Sequence, residues 1–284
     1  FTDISATFHH VLFSKDTLTA DIQLASNERS GLQVKKLQAS FKFTPEMMEF
    51  NHLDLITNKS HLKDYYAMRY NDFNEDMNNF IHSVVLEGHF KDSELNSDDL
   101  AIFAPALLKW KRTFYIDGNA KGSVDNFSAK KIKIKSGNTS IDGDIAMRGL
   151  PDINSTFIDF KANSFQTTYN ELASLLPELK KITQPQLSKL GNINYKGNFT
   201  GFLNDFVTYG TISTNLGVIV ADINMKLPKN ETPIYSGKIV TQGFKLGQFL
   251  DQDQLGAISL NGKVVGRSFN LEKLQANFDG TISQ

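Results

Sequence analysis

The feature that most constrains this chain is a side-chain period of two. In Lys131-Ile132-Lys133-Ile134-Lys135 the isoleucines point to one side of an extended backbone and the lysines to the other. The same alternation runs through Ile141-Asp142-Gly143-Asp144-Ile145-Ala146-Met147 and Ile158-Asp159-Phe160-Lys161-Ala162. It returns in Ile193-Asn194-Tyr195-Lys196-Gly197-Asn198-Phe199 and in Ile258-Ser259-Leu260-Asn261-Gly262-Lys263-Val264. Turn-forming clusters separate the runs: Asp125-Asn126, Ser136-Gly137-Asn138, Leu203-Asn204-Asp205 and Pro228-Lys229-Asn230. Strands with one apolar and one solvated side, joined by short turns, make a mainly β, antiparallel chain.

Three segments depart from this pattern and predict short helices. Residues 97–112 place Leu100, Phe103, Ala104, Leu107 and Leu108 at three- and four-residue spacing, with Ser97 as N-cap and Asp98 and Asp99 in the first turn. Residues 168–190 carry Leu172, Leu175, Leu176 and Leu179, with Pro177 limiting regularity. Residues 72–83 put Phe73, Met77, Phe80 and Ile81 on one face.

The chain also repeats itself. The decapeptide Leu53 to Leu62 aligns without a gap on Ile132 to Ile141, a shift of 141 − 62 = 79, and the parallel ends in Ala67-Met68-Arg69 against Ala146-Met147-Arg148. Further on, Asp99-Leu100-Ala101 with Pro105 answers Glu171-Leu172-Ala173 with Pro177. A second echo links Ile116 to Gly122, Tyr195 to Gly201 and Leu260 to Gly266, with glycines on the apolar register of each strand, where they mark a bend or a close backbone approach. Agreement through strand, turn, strand and cap in order reads as one continuous repetitive segment over 1–284, with units near 37–110, 114–190 and 193–284. Strands of ~7 residues span about 23 Å, and about 18 of them at roughly 4.8 Å spacing extend near 85 Å.

Composition closes several routes. Net charge is −1, from 30 basic and 31 acidic side chains, without the basic excess of a nucleic-acid binder. Cysteine is absent, so disulfides, thiolate metal sites and cysteine nucleophiles are too. No apolar run approaches the ~20 residues of a spanning helix, and no signal peptide opens the chain. It starts at Phe1 without a methionine, so it is read as a piece of a longer polypeptide. His9 and His10 are adjacent on a strand and point apart, while His52, His61, His82 and His89 lack metal-ligand spacing; all six fit exposed or turn positions, and no metal or cofactor is expected. Asp98-Asp99 fits helix-start charge and Asp142/Asp144 a solvated strand face, better than either fits a glycosidase pair. No nucleophile elbow, phosphate loop or dinucleotide fingerprint occurs, so an enzyme is not expected. Phe (22) outnumbers Tyr and Trp together (8 + 1 = 9), which favours an apolar lining over a sugar platform, and Trp110 sits between Lys109 and Lys111 as a packing or surface residue.

The order strand, Ser-Gly-Asn-Thr-Ser turn, Ile-Asp-Gly-Asp-Ile-Ala-Met strand, Gly-Leu-Pro-Asp, Thr-Phe-Ile-Asp-Phe and Glu-Leu-Ala-Ser-Leu-Leu-Pro, over 136–177, resembles the TamB branch of the AsmA-like family, in particular its Bacteroidota versions. Gly118 to Phe127 belongs to the same pattern, and the strong part of the resemblance covers about 37–260. It implies a periplasmic segment, anchored to the inner membrane and reaching an outer-membrane TamA-like barrel through parts outside this chain. It also implies a sheet curled into an open taco-like groove that carries phospholipid or supports outer-membrane protein assembly. Patterning alone is equally compatible with a barrel or sandwich filled by its own side chains, as in a structural or adhesive repeat protein. If lipid is carried, the apolar register lines its path: Ile132, Ile134, Ile141, Ile145, Met147, Ile158, Phe160, Tyr195 and Phe199. Lys133, Asp144, Asp159 and Lys196 then face water.

Overall fold

A computed structural model describes residues 2–28, 31–102, 105–229, 231–269 and 271–283. Sixteen antiparallel strands follow one another in chain order in a single sheet, and the first and last do not pair to close it. The first eight are β1 (Thr2–Ser14), β2 (Thr17–Asn27), β3 (Gln33–Thr44), β4 (Met47–Ile56), β5 (His61–Arg69), β6 (Val85–Asn96), β7 (Thr113–Ser123) and β8 (Asn126–Ser136). The rest are β9 (Thr139–Arg148), β10 (Phe157–Thr168), β11 (Asn192–Phe202), β12 (Asp205–Thr214), β13 (Gly217–Lys226), β14 (Ile234–Phe244), β15 (Ile258–Arg267) and β16 (Gln275–Ser283). There are fewer strands than patterning predicts, and they are longer, from β5 and β16 at 9 residues to β1 at 13. Bulges lengthen some of them, interrupting the alternation without ending the strand, but β12 and β13 reach 10 residues with no register shift between them.

Two compact units share the sheet: Phe1–Ser136 with Asp144–Pro151, and Gly137–Gly143 with Asp152–Gln284, so β9 contributes to both. In the first unit the bulges fall in line. His52, Asp92 and Lys131, on β4, β6 and β8, have φ near +50°, and Asp64 on β5 has φ +90°. The β8 bulge opposes Gly118 of β7, whose φ is +124°, and the β6 bulge opposes the adjacent Asp117. A bulge kinks its strand and frees an amide. Here an aspartate of the next strand takes that amide: Asp117 Oδ1 accepts from Asp92 N at 2.8 Å, and Asp144 Oδ1 from Lys131 N at 2.7 Å. The shift of 79 carries His52 onto Lys131, so the repeat in sequence coincides with a repeated backbone kink. Leu62 and Ile141, paired by the same shift, both stand on the apolar register of their strands, β5 and β9.

Helices interrupt the sheet where the sequence breaks period two, with corrections. Residues 72–83 form α1 (Phe73–Asn78) and α2 (Phe80–Ser83), capped by Asp72. Residues 97–112 give only α3 (Ser97–Leu100) and a 3-10 turn at Pro105–Lys109, while Phe103 and Ala104 lie outside the described residues. The N-cap is Asn96, not Ser97. Ser97 is fully buried and its hydroxyl accepts Arg112 N at 2.9 Å, closing the loop to β7 instead. Residues 168–190 form α4 (Tyr169–Leu175), capped by Thr168, then 3-10 turns at Pro177–Lys181 and Leu187–Leu190, because prolines at 177 and 185 deny a continuous helix its amides. A fifth helix, α5 (Leu246–Leu250), is too short to show periodicity in the sequence. α3, α4 and α5 follow β6, β10 and β14, every fourth strand, and each of those strands carries a register shift.

Candidate functional site

Strand pairing settles which residues share a face. In the first unit Leu18, Ala20, Ile22 and Leu24 of β2 oppose Phe43, Phe41, Ala39 and Leu37 of β3, and the register continues through Phe50 and Leu55 to Tyr66 and Leu62. Ala20, Ile22, Ala39 and Leu53 form a buried cluster with these larger side chains around it. Desolvation there pushes the Tyr66 hydroxyl up to about 12. On the same face Ile116 pairs with Ile134, and Ala120 with Ala129.

In the second unit Phe160 opposes Phe199, and Phe165 opposes Tyr195. Between these pairs a row crosses the strands through Ala162, Gly197, Gly210, Ala221, Ile239, Gly262 and Gly280, each the register partner of the next. All but Ile239 are glycine or alanine. Aromatic rings lie over some of these positions: a Cβ on Gly197 would meet Tyr195 Oη at 3.0 Å, and one on Gly262 would meet Phe278 Cζ at 2.7 Å. Thr139 joins the face through its hydroxyl, 2.8 Å from that of Thr167, which fixes Ile141, Ile145 and Met147 of the same strand on that side.

Each of the nine residues expected to line a lipid path stands on the apolar register of its own strand, but they are not equally open. Ile132 and Ile158 are buried. Each fills space left by a glycine opposite: Ile132 packs at Gly118, and Ile158 pairs with Gly201. Ile134, Ile141, Ile145, Met147, Phe160, Tyr195 and Phe199 are half-buried. Lys133, Asp144, Asp159 and Lys196 are exposed on the opposite register. That register is not uniformly polar, since Val207, Tyr209, Val218 and Val265 of the second unit are also exposed on it. Burial on the apolar register is thus uneven: Ile22, Leu53, Ile132 and Ile158 are buried, while Phe41, Phe50, Phe160 and Phe199 are half-buried.

Several polar side chains tie neighbouring elements together. Asp99 Oδ2 accepts from Thr57 Oγ1 at 2.5 Å, Ser60 Oγ at 2.7 Å and Lys59 N at 3.1 Å, pinning α3 to the β4–β5 turn. His10 meets Asp21 at 2.8 Å and His82 meets Asp125 at 2.7 Å, while His61 and Lys36 share Asp54. The Lys36 ammonium and then His61 hold the Asp54 carboxyl below the usual carboxylate range. His10, His61 and His82 are thus each partnered by a single carboxylate, and no group of three potential metal ligands occurs among the described residues. Half-buried Trp110 packs edge-on to Phe114 at 5.9 Å between ring centroids. No described helix is long and apolar enough to cross a membrane. Comparison with models of protein families, with curated proteins and with solved structures finds no match.

Sequence reasoning did not find the aspartates that cap bulges or the row of small residues. The glycines at 197 and 262 were legible as apolar-register glycines. Their alignment across strands needs the register of every hairpin, which no single strand encodes.

Proposed function

We propose that this chain is a periplasmic segment of a TamB/AsmA-like envelope protein whose apolar face, curled into an open groove, carries phospholipid acyl chains between membranes. The observation that carries this reading is the half-exposure of the apolar register within each unit. A face filled by its own side chains buries most of its large residues, whereas here Ile134, Ile141, Ile145, Met147, Phe160, Tyr195 and Phe199 stay half-buried beside the buried Ile132 and Ile158. The aligned bulges and the glycine–alanine row support it, since kinks and missing side chains let a sheet bend toward that face. Anchoring to the inner membrane and contact with a TamA-like barrel follow from the resemblance and belong to other parts of the protein. The work of the face is binding, not catalysis.

A self-filled structural repeat is the second reading, favoured by the closed cluster around Ala20, Ile22, Ala39 and Leu53. Photo-crosslinking in cells decides between them. A photoreactive residue at 134, 145 or 160 captures phospholipid, and one at 133 or 159 does not. Equal labelling from both registers, or none from the apolar one in a folded protein, rules the groove out. Native mass spectrometry with organic extraction gives an independent answer, because a self-filled repeat emerges without lipid.

A further inference from the structure

Two polar side chains stand on the apolar register in the middle of the second unit, and they satisfy each other. Tyr195 of β11 pairs with Phe165 and Ile212, and Thr208 of β12 pairs with Phe199 and Ile223. Their hydroxyls meet at 2.8 Å. Ile212 and Thr208 are four residues apart on β12, so the tyrosine lies along the strand direction instead of standing up from the sheet. Gly197 and Gly210 make that posture possible, as a Cβ on Gly197 would come within 3.0 Å of the tyrosine oxygen. The ring therefore lies crosswise to any chain running from strand to strand over this face.

From this geometry we infer that Tyr195 is a latch bar across the lipid path, held down by Thr208 and lifted when an acyl chain passes. The inference rests on the lipid-carrying reading of the face. Every neighbour of the pair on this register is apolar or glycine, so the bond that Thr208 offers is what keeps the phenol flat against the sheet. Lifted, the phenol reaches water at the open side, and its hydroxyl exchanges one partner for another. Passage then depends on a local side-chain motion and leaves the strand ladder intact.

The test follows lipid exchange between the intact chain and phosphatidylethanolamine–phosphatidylglycerol vesicles carrying a pyrene-labelled phosphatidylethanolamine. Tyr195→Phe and Thr208→Val each remove one half of the bond with little change of shape, and the double variant leaves no hydroxyl unpaired. A latch predicts that all three speed uptake and release severalfold. A tie that is only structural predicts wild-type exchange rates with lowered stability, and that result overturns the latch while leaving the lipid path standing. Failure of the wild-type chain to load any labelled lipid overturns both.

Discussion

Gly118→Ala tests the line of bulges in the first unit. Gly118 has φ +124°, a conformation that side chains avoid; it faces the bulge of β8 and adjoins Asp117, which faces the bulge of β6. An added Cβ would lie 2.8 Å from Ile132 Cα and 2.8 Å from Lys131 O, both main-chain atoms of β8 that cannot rotate aside. The backbone conformation alone costs of the order of 1–3 kcal/mol for a residue with a Cβ. Separating β7 from β8 by several tenths of an ångström adds to that, for a total of about 2–4 kcal/mol. At roughly 2–4 °C per kcal/mol the unfolding midpoint falls by about 5–15 °C. Trp110, the lone tryptophan, sits at the entrance to β7, so its fluorescence reports this unit selectively. The control, followed by circular dichroism because it lies in the second unit, is Gly256→Ala, where an added Cβ has no atom within 4 Å and φ is not in the positive region; it stays within about 1 kcal/mol of wild type. A Gly118→Ala midpoint indistinguishable from wild type would refute the idea that β7 is bent by close approach at this line.

Further consequences can be checked with the same assay. Asp144→Ala leaves the Lys131 amide without its side-chain acceptor and lowers stability by about 1–3 kcal/mol, while Lys133→Ala, two residues from that amide, changes it by less than about 0.5 kcal/mol; equal effects would remove the bulge-capping role. Asp99→Ala frees three donors of the β4–β5 turn at once and costs about 2–3 kcal/mol, with increased mobility of Trp110 by fluorescence anisotropy; an unchanged anisotropy would show that α3 is held by something else. The folded-state pKa of Asp54 lies below its unfolded value of about 3.9, so its contribution is present above that pH and disappears as pH falls through the folded value. Asp54 is a third exposed, so the contribution is under about 1 kcal/mol, and Asp54→Asn should flatten the stability profile only below about pH 4; a change near neutral pH would contradict this. Chelation should leave the unfolding midpoint in place, and a clear drop would reveal a metal site.

What could be read in the sequence, and what could not, follows from the range of each signal. Period two is local, so Lys131 to Lys135 announces its strand and its face from five residues alone. The repeat is also legible, because Leu53 to Leu62 and Ile132 to Ile141 repeat side-chain type position by position. A bulge is harder to see. Lys131 breaks the alternation with Lys130 beside it, but only the pairing of Asp117 with Lys133 and of Asn119 with Lys130 shows which residue is expelled. Asp144 looks like a solvated carboxylate from its own strand, and its partner is 13 residues away on another. Ser97 looks like an N-cap because serine before two aspartates usually is one, yet a tertiary bond to Arg112 outcompetes the local one. Degrees of burial on the apolar face were likewise beyond reach, since Ile132 and Ile134 are chemically identical and only the glycine opposite one of them makes it buried.

That last contrast bears on why the face stays half-open. A half-buried phenylalanine or isoleucine leaves about 40–70 Å² of apolar surface in water, a cost of about 1–2 kcal/mol each at ~25 cal/mol per Å². Over Ile134, Ile141, Ile145, Met147, Phe160, Tyr195 and Phe199 the sum is of the order of 10 kcal/mol, as large as the whole stability of an ordinary domain. A chain with no use for such a surface could remove the cost cheaply: the exposed register already shows threonine, asparagine and lysine at neighbouring strand positions, and each apolar site is one substitution from the same. Alternatively, a longer side chain at Gly210 or Ala221 could fill the space from within, but the row of small residues keeps that filling out. The alternation and the small residues oppose each other unless something else covers the face, and under the proposed function an apolar ligand would supply from outside the contacts that the glycines and alanines withhold.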